Sequence, residues 1–157
     1  MSQRAKLLVG GLAGIALVLG AYLVSGASHR FAAIPGDDMK HLLERRAGDL
    51  AAQNGGNIPT TAEVVLTKRQ ESQDLVAGGD EVGSNEPVYL VQMEGSFVVN
   101  AAPIPSGAEA PTGSTLWFLV DAESGQSLDW GLGLKPEDLS KLGEVSQITP
   151  IPPSGGG

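Results

Sequence analysis

Apolar residues along this chain follow three different patterns, and each predicts a different element. From Leu7 to Ala27 (LLVGGLAGIALVLGAYLVSGA) the run is apolar throughout, with no charged side chain. At 1.5 Å per residue such a helix would be about 31 Å long, the thickness of a bilayer's hydrocarbon core. From Gly36 to Asn54 the apolar positions Met39, Leu42, Leu43, Ala47 and Leu50 recur at helical spacing, with Arg46 at the edge of the stripe. They predict one amphipathic helix. Asp37 or Asp38 is expected to cap its start, and Asn54-Gly55-Gly56 to end it. Lys40–Glu44 and Arg45–Asp49 are expected to pair along its exposed side.

Beyond Asn57-Ile58-Pro59 the period changes to two. Thr61–Gln70 reads as a first strand, with Val64 and Leu66 on one face and Val65 on the other. Val88 to Glu94 alternates in the same way. Thr115 to Val120 is apolar on both faces, as a strand covered on each side would be. Ser127, Asp129 and Gly131 alternate with Leu128, Trp130 and Leu132 in a half-buried strand. The DAESGQ segment between these two strands predicts a hairpin, with Gly125 at the positive-φ position. Glu71–Glu86 carries acids and no base between glycine turns and reads as a solvated loop. Asn100–Ser114 reads as a flexible excursion rich in Ala, Pro and Gly. Lys135 to Leu139 predicts a short helical turn with Pro136 at its first position and Gly143 at its end.

The expected architecture is α+β: an N-terminal transmembrane helix followed by one helix packed on a three- to four-stranded antiparallel sheet, sequential strands being neighbours. Residues 1–30 are assigned to a cytoplasmic tip and transmembrane signal anchor, 31–145 to an extracytoplasmic domain, and 146–157 to a flexible Pro/Gly-rich tail. Core candidates are Leu42, Leu43, Leu50, Val64, Leu66, Leu90, Phe97, Leu116, Phe118, Val120, Leu128 and Trp130.

Charge adds orientation and removes some functions. Arg4 and Lys6 precede the apolar run, whereas seven of the ten Lys/Arg and all eighteen Asp/Glu follow residue 30. The positive-inside rule then places the N-terminus in the cytoplasm, giving a single-pass protein of the cell membrane with its C-terminal domain extracytoplasmic. A signal peptide cleaved after Ser25-Gly26-Ala27 is the rival reading. Gly10 and Gly14 have the spacing at which membrane helices approach closely, although glycine is common in such helices anyway. The acidic domain repels nucleic acid, so none is expected as a partner. With no cysteine, disulfides, thiolate metal sites and cysteine nucleophiles are excluded.

The sequence holds little that carries chemistry. Its two histidines, His29 and His41, lie outside the sheet region. No nucleophile turn, phosphate loop or HExxH motif is present. Asp121 and Asp129 bracket the hairpin and could face each other as a carboxylate pair; the plainer role for Asp121 is to bond turn amides, and for Asp129 to face solvent. Asp74, Asp80, Glu81, Asn85 and Glu86 are oxygen donors close in sequence, without the spacing of a calcium helix–loop–helix. No cofactor and no metal is expected. Five of the seven aromatic residues lie between Tyr89 and Trp130. If Leu116, Phe118 and Val120 meet the helix, Trp117 and Leu119 point the other way. Trp117, Leu119 and Tyr89 are therefore the expected partner-binding residues, unless Asn100–Ser114 or another strand covers them.

The pair YLVQMEGSFVV (Tyr89–Val99) and LWFLVDAESGQSL (Leu116–Leu128) resembles the strand–strand–DAxTGxxL ending of PepSY-type modules, with Ser124 where that pattern has threonine. A helix followed by a strand is also similar to these modules and to the related cystatin-like shape. The long Asn100–Ser114 segment departs from their compact form. The resemblance implies an exported or membrane-bound module, of a kind proposed to bind peptides or restrain proteases, with no catalytic residue to carry over. The function expected is a non-catalytic membrane-anchored accessory module. It would be held by Leu7–Ala27 and would engage a peptide, a protease or a larger envelope complex. An envelope enzyme using carboxylates and a pilus-like subunit are the alternatives. The second is disfavoured because the apolar segment has no glutamate near its start.

Overall fold

A computed structural model describes residues 35–55, 57–79, 81–99, 105 and 107–154. The apolar segment Leu7–Ala27, with the anchor, topology and cleavage expectations that rest on it, lies outside the described residues. Among those residues, no helix is long and apolar enough to cross a membrane.

The fold is α+β, with helix α1 (Asp37–Gln53), strand β1 (Ala62–Lys68), helix α2 (Arg69–Val76), and strands β2 (Pro87–Val98), β3 (Thr112–Asp121), β4 (Ser127–Gly133) and β5 (Val145–Ile148). The strands form one five-stranded sheet in the order β4-β3-β2-β1-β5, every pairing antiparallel. The four expected strands make a meander. The fifth, Val145–Ile148, runs across the boundary expected between domain and tail at 145/146 and adds beside β1 with Ala62 opposite Ile148.

Both faces of the sheet are covered. On one, α1 buries Leu43, Ala47 and Ala51 against Val64, Tyr89, Val91, Met93, Phe97, Leu116, Phe118 and Val120. On the other, Val65, Val88, Leu90, Trp117 and Leu119 lie under Leu75 and Val76 of α2 and under Leu139 and Leu142. The alternation in β1 is as expected, with Val64 and Val65 on opposite sides, and β3 is apolar on both faces because each face has a cover.

Several local expectations are corrected. The acidic stretch is not all loop, because Arg69–Val76 is helical. The Gln70 amide donates to Asn85 Oδ1 at 3.1 Å and the Arg69 amide to the Glu86 carbonyl, so residues 85–86 satisfy the start of α2. Helix α1 begins with Gly36 as N-cap and no side-chain cap, leaving Asp37 and Asp38 inside its first turn. There the dipole, rather than a capping bond, favours them. Asn54 ends the helix as expected, its amide side chain donating to the Leu50 carbonyl at 2.8 Å. Glu44 is buried rather than exposed, because the chain after β5 crosses α1. The Ile151 amide donates to the Glu44 carbonyl at 2.9 Å and the Thr149 amide reaches Glu44 Oε1 at 3.4 Å. Gly48 permits this crossing, since a Cβ there would overlap the Ile151 carbonyl. Lys40 does approach Glu44, at 3.9 Å. The turn expected from Pro136 starts later, as one 3₁₀ turn at Leu139–Lys141 capped by Asp138, whose carboxylate accepts from Ser140.

Candidate functional site, the cleft between α1 and β4

The hairpin that carries the site is built as its residues dictate. Asp121 Oδ1 accepts the Ser124 hydroxyl at 2.6 Å, the Ser124 amide at 2.6 Å and the Glu123 amide at 3.1 Å, and Gly125 takes φ 71°. The Ser124 hydroxyl, then the Ser124 amide, hold the Asp121 carboxyl below its ordinary range; partial burial opposes them and the Glu123 amide adds a little. The Ser124 hydroxyl thus ties the turn to the Asp121 carboxylate.

After the turn, the ladder slips by one residue. Val120 pairs with Ser127 but Leu119 pairs with Asp129, leaving Leu128 as the extra residue of a bulge. This displaces the simple alternation read from sequence. Leu128 packs with the Trp117 cluster, whereas Trp130, opposite Phe118, turns to the α1 face. Trp130 is therefore not core but 43% exposed.

Exposed Trp130 forms one wall of a cleft of about 470 Å³ between α1 and β4. Arg46, Asp49, Leu50 and Gln53 contribute from α1, and Phe118, Ser127, Asp129 and Trp130 from the sheet. Arg46 is half-buried and has no ion-pair partner among the described residues. Strand β4 is at the end of the sheet, so one row of its backbone groups faces away from β3.

The residues expected to bind a partner are elsewhere. Trp117 is 6% exposed, Leu119 0% and Tyr89 4%. They do not share a face either, since Tyr89 belongs to the α1 side and the other two to the α2 side. Trp117 packs under α2 and the segment around Leu139; residues 100–104 and 106 of the expected excursion lie outside the described residues, and its last residues, Thr112–Ser114, are already strand. Burial also pushes the Tyr89 phenol upward from its ordinary range.

Asp121 and Asp129 are not brought together as a working pair. Asp121 serves the turn, and Asp129 accepts the Trp130 amide through Oδ1 at 2.8 Å and the Gln73 amide group through Oδ2 at 3.0 Å. His41 is exposed, with Nδ1 3.3 Å from Glu44. Of the possible calcium ligands, Asp74 accepts from Gln70, Asn85 serves the start of α2 and Glu86 pairs with Arg69 at 2.9 Å; Asp80 lies outside the described residues. Among the described residues, no group of three or more potential ligands could hold a metal ion.

The chain matches no known family model, no curated protein and no solved structure.

Proposed function

We propose that this protein is a non-catalytic binding module, held at the outer side of the cell membrane by Leu7–Ala27, that takes a peptide segment in the cleft between α1 and β4. The observation that carries this reading is exposed Trp130 on an edge strand, facing a helix across an open cleft. An aromatic residue in that setting offers apolar area with little side-chain entropy to lose, and the adjacent edge, whose Trp130 amide is held by Asp129, offers its remaining backbone groups to an extended chain. The hairpin carboxylates, which an envelope enzyme would need free, are both engaged in hydrogen bonds within the fold. The PepSY-like ending of β3 and the hairpin agrees with a peptide-binding role.

A photo-reactive residue at position 130 of the membrane-embedded full chain tests the site. Adducts to a peptide or protein are expected there and not from the same group at Glu123 in the turn. Equal labelling at both positions would remove the cleft from consideration. Protease added to intact spheroplasts is expected to digest the acidic domain and leave Met1–Lys6 protected. Protection of the whole chain would reverse the orientation.

A further inference from the structure

The chemistry lining the cleft is specific about one part of its occupant. Arg46 is half-buried, has no ion-pair partner among the described residues, and lines the cleft together with Leu50, Phe118 and Trp130. A guanidinium partly withdrawn from water beside apolar walls gains most from a charge-assisted, two-pronged bond to a planar anion. Gln53 and Ser127 line the same cleft and can donate further hydrogen bonds.

The negative groups narrow the choice of anion. Asp49 is exposed at the rim, one turn from Arg46, and Asp129 lies at the β4 side, already holding two donors. A phosphate dianion or a strongly acidic peptide would meet these carboxylates and the net charge of −8. A single carboxylate placed at Arg46 would not carry that excess. The apolar walls require that the carboxylate be attached to an apolar body. The cleft runs beside an edge strand, so the remainder of an extended chain has somewhere to lie.

The geometry points to a subsite for the free C-terminal carboxylate of a peptide ending in an apolar residue, with Arg46 binding the carboxylate and Trp130, Phe118 and Leu50 enclosing the last side chain. This rests on the reading of the cleft as a peptide site. The acidic fold as a whole disfavours anions, and it is the local pairing at Arg46 that makes this one acceptable.

The test uses the full chain in detergent and two probes, acetyl-Thr-Val-Thr-Leu with a free terminal carboxylate and the same peptide as its amide. The readout is the indole N–H resonance of Trp130, with buried Trp117 as internal control. The acid is expected to shift Trp130 alone, and the amide to bind at least about tenfold more weakly, the loss that about 1.4 kcal/mol represents. Arg46→Gln should abolish that preference while leaving Trp117 unmoved, and Arg46→Lys should retain part of it. Equal binding of acid and amide, or an Arg46→Gln protein with the preference intact, overturns the carboxylate subsite and leaves the peptide cleft standing. If neither peptide moves Trp130 at millimolar concentration, the cleft reading itself fails. N-acetyl-leucine binding as tightly as the tetrapeptide would make the occupant a small organic acid and overturn the peptide assignment.

Discussion

The carboxylate of Asp129 accepts the backbone N–H of its own neighbour Trp130 at 2.8 Å, at the unpaired edge of the sheet. An amide bonded to that carboxylate is turned away from β3, so it is one of the groups a further strand would use. The other carboxylate oxygen is anchored by Gln73, a buried residue of α2. The edge is thus partly closed from within, by a side chain tied to the opposite layer of the fold. Asp129→Ala is expected to free this amide and promote pairing of β4 with β4 of a second copy. Sedimentation should show concentration-dependent dimers in Asp129→Ala, and none in Asp129→Asn, which keeps an acceptor oxygen. A monomeric Asp129→Ala protein would show that the carboxylate does not guard the edge.

Trp117 and Gly131 face each other across β3 and β4, and a Cβ on Gly131 would overlap the indole. Trp117→Ala should lose about 3–5 kcal/mol by denaturant unfolding, as for a core aromatic. Gly131→Ala should lose about 1–3 kcal/mol, because the ring has to shift within a packed layer. Either substitution leaving stability unchanged would contradict the burial of this indole.

Gly48→Ala separates two effects of opposite sign. Alanine gains about 1 kcal/mol in the helix. The crossing at Ile151 has to lift, losing two hydrogen bonds worth about 0.5–1.5 kcal/mol each. The net effect should be a loss of about 0–2 kcal/mol, smaller than the crossing alone would cost, while the Ile151 amide loses its protection from hydrogen exchange. An Ile151 amide as protected as in the parent would show that the crossing tolerates a methyl group.

Asp121 sets an acid limit on the hairpin. Its folded pKa is depressed, chiefly by the Ser124 hydroxyl and then by the Ser124 amide. The stabilisation is fully present above the unfolded value near 3.8 and is lost as pH falls through the lower folded value. Ser124→Ala should raise the Asp121 pKa and move this loss to higher pH, followed by NMR titration of the carboxyl. Because the group lies at the surface, the effect on global stability is expected to be small.

What could be read from sequence was set by local rules. Leu43, Ala47 and Leu50 recur at helical spacing, and β3 is apolar on both faces; the Asp121–Gly125 turn chemistry needs no distant partner to be recognised. The remaining elements depend on residues far away in the chain. Helix α2 offers only Leu75 and Val76 as apolar residues, and its covering role exists because Val65, Leu90 and Trp117 need shelter. Strand β5 is four residues long and is defined by the open side of β1. The cleft between α1 and β4 escaped for a subtler reason. A single extra residue at Leu128 sends Trp130 and Leu128 to opposite faces, and strict alternation cannot reveal which position a ladder will skip.

The late arrival of β5 has a consequence for how the molecule is made. β1 lies inside the finished sheet, yet its second neighbour is encoded more than half the chain later, Ala62 meeting Ile148. While the chain emerges from its N-terminus, the meander of β1 to β4 can assemble from near neighbours, with one side of β1 still bare. Until Val145–Ile148 appears, that strand is a sticky margin facing every other nascent chain nearby. The segment that seals the sheet is therefore made after the other four strands, and a ribosome halted before Val145 is expected to release a chain prone to aggregate rather than a shorter version of the domain.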